Sequence, residues 1–158
     1  VGGTRLPAVL LPALAAVGYD VNSWAALNGG LYSPWSNRTL NMSVTFSQAG
    51  TYTFDIAAIN NANHTGATSQ LNQADRTGWH LPTNYPTFKV RVLIDGVAVT
   101  PSNLGIAASD TQVQSSSFST SVGSGTHTVS LVWTNDSYTP ATYSDANINF
   151  QNIVITRN

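Results

Sequence analysis

The chain contains no cysteine and no glutamate, and it has a single lysine among its 158 residues. Without cysteine it can build neither a disulfide framework nor a thiolate metal site. Only 8% of residues are charged and the formal net charge is −1. That leaves no basic stripe for a nucleic-acid backbone and excludes nucleic acid as a partner. A membrane-length apolar run is missing too. The most apolar stretch, Leu6 to Val17, is broken by Pro7 and Pro12 and is shorter than the roughly 20 residues that cross a bilayer. Arg5 alone precedes it and no small-residue cleavage pattern follows, so it reads as an edge or sheet-covering segment of the fold and not as a signal core.

Threonine, serine and asparagine are abundant instead. Helices favour Glu and Lys, so this bias points to strands and polar loops. The length suits one domain, residues 1–158, with a substantial core. Nothing in the sequence demands more than a monomer.

Apolar residues alternate in short blocks: Leu40, Met42, Val44 and Phe46; Tyr52, Phe54, Ile56 and Ala58; Phe88, Val90, Val92 and Ile94; Val129, Leu131 and Trp133. Period two marks half-buried strands. A last block, Ile148 and Phe150 continuing as Ile153 and Ile155, slips by one residue, which predicts a bulge. Asp95-Gly96 between two apolar runs is a two-residue hairpin signal. Gly50-Thr51-Tyr52-Thr53-Phe54 and Gly125-Thr126-His127-Thr128-Val129 share one grammar, a glycine turn and then a strand with Thr outward. With no convincing amphipathic helix, these blocks predict an all-β, two-sheet antiparallel sandwich of jelly-roll type. The stretch from Asn60 to Pro86 breaks the spacing. It carries Asp75, Arg76, Trp79, His80 and Tyr85, and its aromatics argue for one long ordered loop excursion over an end or face of the sandwich.

Trp133-Thr134-Asn135-Asp136-Ser137-Tyr138, followed by Ser144-Asp145-Ala146-Asn147-Ile148, sets two of the seven acidic residues nine positions apart in a polar loop between apolar runs. A hard cation such as calcium takes about six to eight oxygens at about 2.3–2.6 Å, which two carboxylates with carbonyls and waters can supply. Replaceable waters would make such an ion a site for sugar hydroxyls. The bland reading is that both are turn residues bonding their own backbone. Tyr138 and Tyr143 on the loop, and Trp79, His80 and Tyr85 on the excursion, are candidates to stack on a pyranose ring or wall a groove. For each the competing role is inward packing. Trp133 continues the phase of Val129 and Leu131 and is assigned to the core. The glycosylation sequons at Asn37, Asn41, Asn63 and Asn135 are short patterns in an Asn-rich chain and are taken as incidental.

At three places the residues resemble the calcium-dependent carbohydrate-binding modules, chiefly the xylan-binding families thirty-six and sixty and more distantly family thirty-five. Leu31-Tyr32-Ser33-Pro34-Trp35-Ser36-Asn37 and Ala49-Gly50-Thr51-Tyr52-Thr53-Phe54 are similar to strand openings of those modules. The specific part is Gly125-Thr126-His127-Thr128-Val129 through Trp133-Thr134-Asn135-Asp136 to Asp145-Ala146-Asn147-Ile148, which resembles their C-terminal signature. The resemblance implies a non-catalytic jelly roll with Ca²⁺ on a loop at one end and vicinal sugar hydroxyls completing its coordination. It also implies a polysaccharide ligand, xylan-like or another cell-wall glycan, and a glycoside hydrolase as the attached catalytic domain. Asp136 and Asp145 match the acidic ligands, Asn147 matches the signature Asn, and backbone carbonyls between Ser137 and Ser144 would fill further positions, so the expected metal set is Asp136, Asp145, Ser144 and Asn147. Ala146 departs from the usual Arg, and the Glu residues that serve a second, structural calcium in related modules have no counterpart.

Low charge with many hydroxyl and amide side chains is common among secreted proteins that work on neutral polysaccharides, so an extracellular location is expected. Two rival functions stay open. Asp136 and Asp145 could serve as the carboxylate pair of a hydrolase, although Asn135, Ser137 and Ser144 around them favour ionised carboxylates over the raised acid such an enzyme needs. A structural or adhesive sandwich is the other.

Overall fold

The computed structural model describes residues 5–6, 24–27, 30–34, 39–60, 78–100 and 103–158, the first three stretches as backbone alone. Leu6–Val17 beyond its first residue, Trp35, Asp75, Arg76 and the sequons at Asn37 and Asn63 lie outside the described residues or side chains. In chain order the strands are β1 (Arg5–Leu6), β2 (Trp24–Leu27), β3 (Gly30–Pro34), β4 (Thr39–Phe46), β5 (Gly50–Asn60), β6 (Thr87–Ile94), β7 (Val97–Ala98), β8 (Leu104–Ala107), β9 (Gln114–Val122), β10 (Gly125–Trp133), β11 (Ser137–Thr139), β12 (Ser144–Ala146) and β13 (Ile148–Arg157). No helix among the described residues is long and apolar enough to cross a membrane.

Alternation becomes strand wherever it was expected. β4 alternates exposed and buried along its whole length, and β5 and β6 follow the same rule. One sheet orders its strands β2-β3-β13-β5-β9 with β1 on β13; the other runs β4-β10-β6-β7 with β8 on β6. The inward residues of both sheets form one core, including Phe46, Phe54, Phe88, Leu131, Trp133 and Phe150. Burying each such side chain contributes about 1.5–3 kcal/mol. The sandwich is therefore the two-sheet antiparallel one that the pattern predicts, and Trp133 is fully buried as expected. The glycine turns also behave alike: Thr51 and Thr126 face out, while Tyr52 and, two residues past His127, Val129 face in.

Two local predictions are met in detail. Asp95 and Gly96 both have positive φ, 51° and 80°, and close the β6–β7 hairpin, as a right-twisted ribbon requires. The pairing of β13 with β5 shifts between Phe150 and Asn152. That bulge lets Ile148 and Phe150 before it, and Ile153 and Ile155 after it, all point into the core.

β8 and β9 were not anticipated. β9 reads Gln-Ser-Ser-Ser-Phe-Ser-Thr-Ser-Val and keeps a stripe of exposed serines with only Phe118 and Val122 as apolar inward residues. Phe118 pairs across from Phe54 and stacks on it at 5.2 Å, and long-range pairing with β5 supplies what propensity does not.

At the end of the sandwich where β10 begins, His127 Nδ1 lies 2.6 Å from Asp95 Oδ2 and its Nε2 lies 2.9 Å from the Gly123 carbonyl. The other Asp95 oxygen accepts the Thr128 N–H. Every charge there has a partner of opposite character. The functional candidates lie at the other end.

Candidate functional site

The far end of β10 is fixed by Asn135. Its Oδ1 accepts the Trp133 Nε1–H at 3.0 Å and the Lys89 N–H at 2.8 Å, and its Nδ2 donates to the Thr87 carbonyl. Its own carbonyl accepts the Tyr85 hydroxyl at 2.6 Å. Nδ2 is thus turned into the fold, in keeping with an incidental sequon. Asp136 follows from this anchored residue.

β11 and β12 then fold the nine-residue interval back on itself, pairing Ser137 with Ala146, Tyr138 with Asp145 and Thr139 with Ser144. Residues two apart on a strand share a face. The register therefore gathers Asp136, Tyr138, Asp145 and Asn147 on one face of this small ribbon. Two carboxylates are brought together, and the electrostatics register it: Asp136 is pushed up to about 6, first by burial and then by the charge of Asp145, against a Ser137 N–H that favours the ionised form.

Asp145 is 5% exposed. Its N–H donates to the His80 carbonyl at 2.9 Å, its carbonyl accepts Asn60 Nδ2 at 3.2 Å, and its Oδ2 accepts Asn147 Nδ2 at 2.8 Å. Asn147 thus presents its amide N–H₂ to the carboxylate and orients it. Ser144 enters the expected set through its main-chain carbonyl. It faces the opposite side of the ribbon from Asp145, and its buried hydroxyl meets Thr142 Oγ1 at 2.9 Å within the turn, so any oxygen it offers comes from the main chain.

The aromatic candidates divide. Trp79 is 3% exposed, with Tyr138 stacked parallel to it at 5.8 Å and Tyr143 edge-on at 5.8 Å. Of the two roles open to it, stacking on a sugar or packing inward, the indole takes the second and is a buried support. Tyr85 also packs inward, its ring on Phe88 and its hydroxyl on Asn135; burial and the nearby Asp136 charge push its pKa well above the tyrosine range. Trp79 is closed to a sugar and Tyr85 is half-buried, whereas Tyr138 and Tyr143 are the exposed rings, at 41% and 62%. Tyr143 caps the 3-10 turn Pro140–Thr142 with φ 54°, in the left-handed region, which costs a non-glycine residue roughly 1–2 kcal/mol. A strained position that carries an exposed ring is the kind found at binding sites. His80 is exposed, with Nδ1 2.7 Å from the Leu81 carbonyl, and its main chain bridges to Ser144. Of the excursion, Gly78–Pro86 is described, and it lies along β12.

Two residues that the sequence reading passed over hold these segments together. Asn60, the last residue of β5 and 6% exposed, accepts the Asn147 N–H at 2.8 Å and donates to Asp110 Oδ1 at 2.7 Å as well as to the Asp145 carbonyl. Asp110 takes the Leu81 N–H between its two oxygens, at 3.1 and 3.0 Å.

The family model described as CBM60, a Ca-dependent, xylan-binding carbohydrate-binding module, matches residues 83–158. No curated protein matches the chain. Among solved structures, a family 35 carbohydrate-binding module from an environmental isolate aligns with a TM-score of 0.51 at 16% identity, covering 89% of this chain and 77% of that one. A cycloalternan-forming enzyme from Listeria monocytogenes, in complex with a pentasaccharide substrate, aligns with a TM-score of 0.50 at 12% identity over 80% of this chain and 9% of the enzyme. The resemblance to carbohydrate-binding modules of the xylan-binding type holds, with the specific match in the C-terminal half. The fold is that of such modules.

Proposed function

We propose that the chain is a non-catalytic module that binds a polysaccharide through a calcium ion held at Asp136 and Asp145. The observation that carries this is the juxtaposition of two carboxylates on one face of the β11–β12 ribbon, one of them driven up to about 6. Like charges so placed repel in the absence of a cation, and hard carboxylate oxygens suit calcium. Among the described residues no group of three or more Asp, Glu, His or Cys side chains is gathered. The remaining oxygens would come from carbonyls between Ser137 and Ser144 and from water. When bound, the ion supplies exchangeable positions that a vicinal diol can take.

The chain's own residues do the rest. Asn147 orients the Asp145 carboxylate, the rings of Tyr138 and Tyr143 offer faces to a sugar, and Trp79 backs both. His80 stands exposed alongside. The family description supports calcium dependence and a xylan-like ligand; Ala146, in place of the usual Arg, is buried in the core and offers no side chain to a ligand, so another cell-wall glycan stays within the proposal. The occurrence of this fold as a small part of a larger enzyme chain supports a partnership with a catalytic domain, and secretion accords with such a ligand. The hydrolase alternative draws on Asp136, which is raised as an acid would be and not kept in the ordinary carboxylate range by Asn135, Ser137 and Ser144 as expected; the description of the matching family as a binding module favours the ion.

Isothermal titration with xylan, mannan and galactan, with calcium and with chelator, tests the reading. Binding that needs calcium supports it. Binding that survives chelation removes the ion, and release of reducing sugar would make the protein an enzyme.

A further inference from the structure

We propose that Asp110, on the turn that carries the chain from β8 in one sheet to β9 in the other, is a positioning residue for the strand that presents Asp145. The inference rests on the reading above for its functional meaning, but not for its geometry. Asp110 touches neither Asp136 nor the Asp145 side chain in any hydrogen bond described; it acts through Asn60 and Leu81.

Asn60 has no spare hydrogen-bonding capacity on its amide nitrogen. Both N–H bonds are used, one on Asp110 Oδ1 at 2.7 Å and one on the Asp145 carbonyl at 3.2 Å, while its oxygen receives the Asn147 N–H at 2.8 Å. Rotating the amide by half a turn would set its oxygen against a carboxylate and a carbonyl, and its N–H₂ against an N–H. An acceptor-only carboxylate at position 110 makes that turn prohibitive and so selects the orientation that clamps Asp145 and Asn147. The same carboxylate takes the Leu81 N–H at 3.1 and 3.0 Å. That bond secures the segment whose His80 carbonyl receives the Asp145 N–H at 2.9 Å. One anion thus determines the hydrogen bonds on both sides of the Asp145 peptide. Groups that orient a ligand from behind in this way typically change metal affinity by about 10–100-fold.

The test compares wild type, Asp110→Ala and Asp110→Asn. Asn retains an oxygen for Asn60 and Leu81, whereas Ala has none. Amide hydrogen exchange in chelator comes first and needs no ion: Asp110→Ala is expected to speed exchange at Asp145 and Asn147 by about tenfold or more, with β4 and β10 amides unchanged, and Asp110→Asn to restore most of the protection. Calcium titration without glycan comes second. Asp110→Ala should raise the calcium dissociation constant by about tenfold and Asp110→Asn much less. Unchanged exchange at Asp145 and Asn147 in Asp110→Ala overturns the proposal, as does a uniform speeding across β4 and β10, which would make Asp110 a general stabiliser. Wild-type protein that binds no calcium would defeat the ion, while the exchange result still decides Asp110.

Discussion

The two ends of the sandwich treat aspartate in opposite ways. Where β10 begins, Asp95 faces His127 and the Thr128 N–H, which hold its pKa below the usual carboxylate value, and His127 is raised in turn, first by its bond to Asp95. Where β10 ends, Asp136 faces Asp145 and is raised by burial and by that neighbour. The first end is electrostatically complete and reads as structure. The second sets carboxylate against carboxylate, which a cation would offset under the proposed reading, and it is also where the exposed tyrosines and the left-handed Tyr143 sit. In a chain with so few charges, that contrast is a stronger pointer to function than the presence of aspartate alone.

The contrast can be broken from its support upward. Trp79→Ala should cost about 3–5 kcal/mol of unfolding free energy in chelator, the usual effect of removing a buried aromatic, and should weaken glycan binding because Tyr138 and Tyr143 lose their backing. Denaturant unfolding measures the first; a loss below about 1 kcal/mol would return Trp79 to the exposed role. Calcium at a hundred times its dissociation constant should add about 2.7 kcal/mol to the wild type. Asp136→Asn should gain almost none of this, and equal gains in both proteins would move the ion elsewhere. Tyr143→Asn relieves a left-handed strain of roughly 1 kcal/mol. It should melt slightly higher in chelator and bind glycan less well, whereas undiminished binding would assign the ring to packing.

The last test is the pH dependence. With Asp136 raised from 3.8 to about 6, folding favours its neutral form, so in chelator its contribution is full below 3.8 and is lost as pH rises through about 6. The His127–Asp95 pair behaves differently. Asp95, lowered from 3.8, contributes above that value and fails as pH falls through its lower folded pKa; His127, raised from 6.5, contributes below that value and fails as pH rises through its higher folded pKa. As pH rises from about 4, melting temperatures should therefore show two declines, while the loss at Asp95 comes only as pH falls below 3.8. Asp136→Asn should abolish the one near 6, and His127→Gln the one above 6.5. Loss of both in either variant would mean that the two ends are coupled.

Most of the sandwich was legible because its main strands are half-buried and alternate strictly, down to the slipped phase in β13. β9 was not, because serine carries no burial signal and the strand is held by pairing with β5. At the candidate site, that Asp136, Asp145 and Asn147 come together was legible through the spacing and signature around them. For Trp79 and Tyr85 the sequence left binding and inward packing both open, because flanking residues describe a backbone and not the direction of a ring. Asn60 and Asp110 were beyond reach: the hydrogen bonds that matter join Asn60 to Asp110 across 50 positions and to Asp145 across 85, and no local pattern encodes them. An Asp between Ser109 and Thr111 looks like any other turn residue.

The bulge at Phe150 to Asn152 ties the carboxylate end to the C-terminal core like a coupling between two gears. A one-residue deletion in that stretch would keep the chain's hydrophobicity intact yet roll one side of the join over by half a turn. Either Ile153 and Ile155 would meet solvent, or Asp145 and Asn147 would be carried to the wrong face of their ribbon. Length variation during divergence should accordingly be nearly absent between residues 147 and 153.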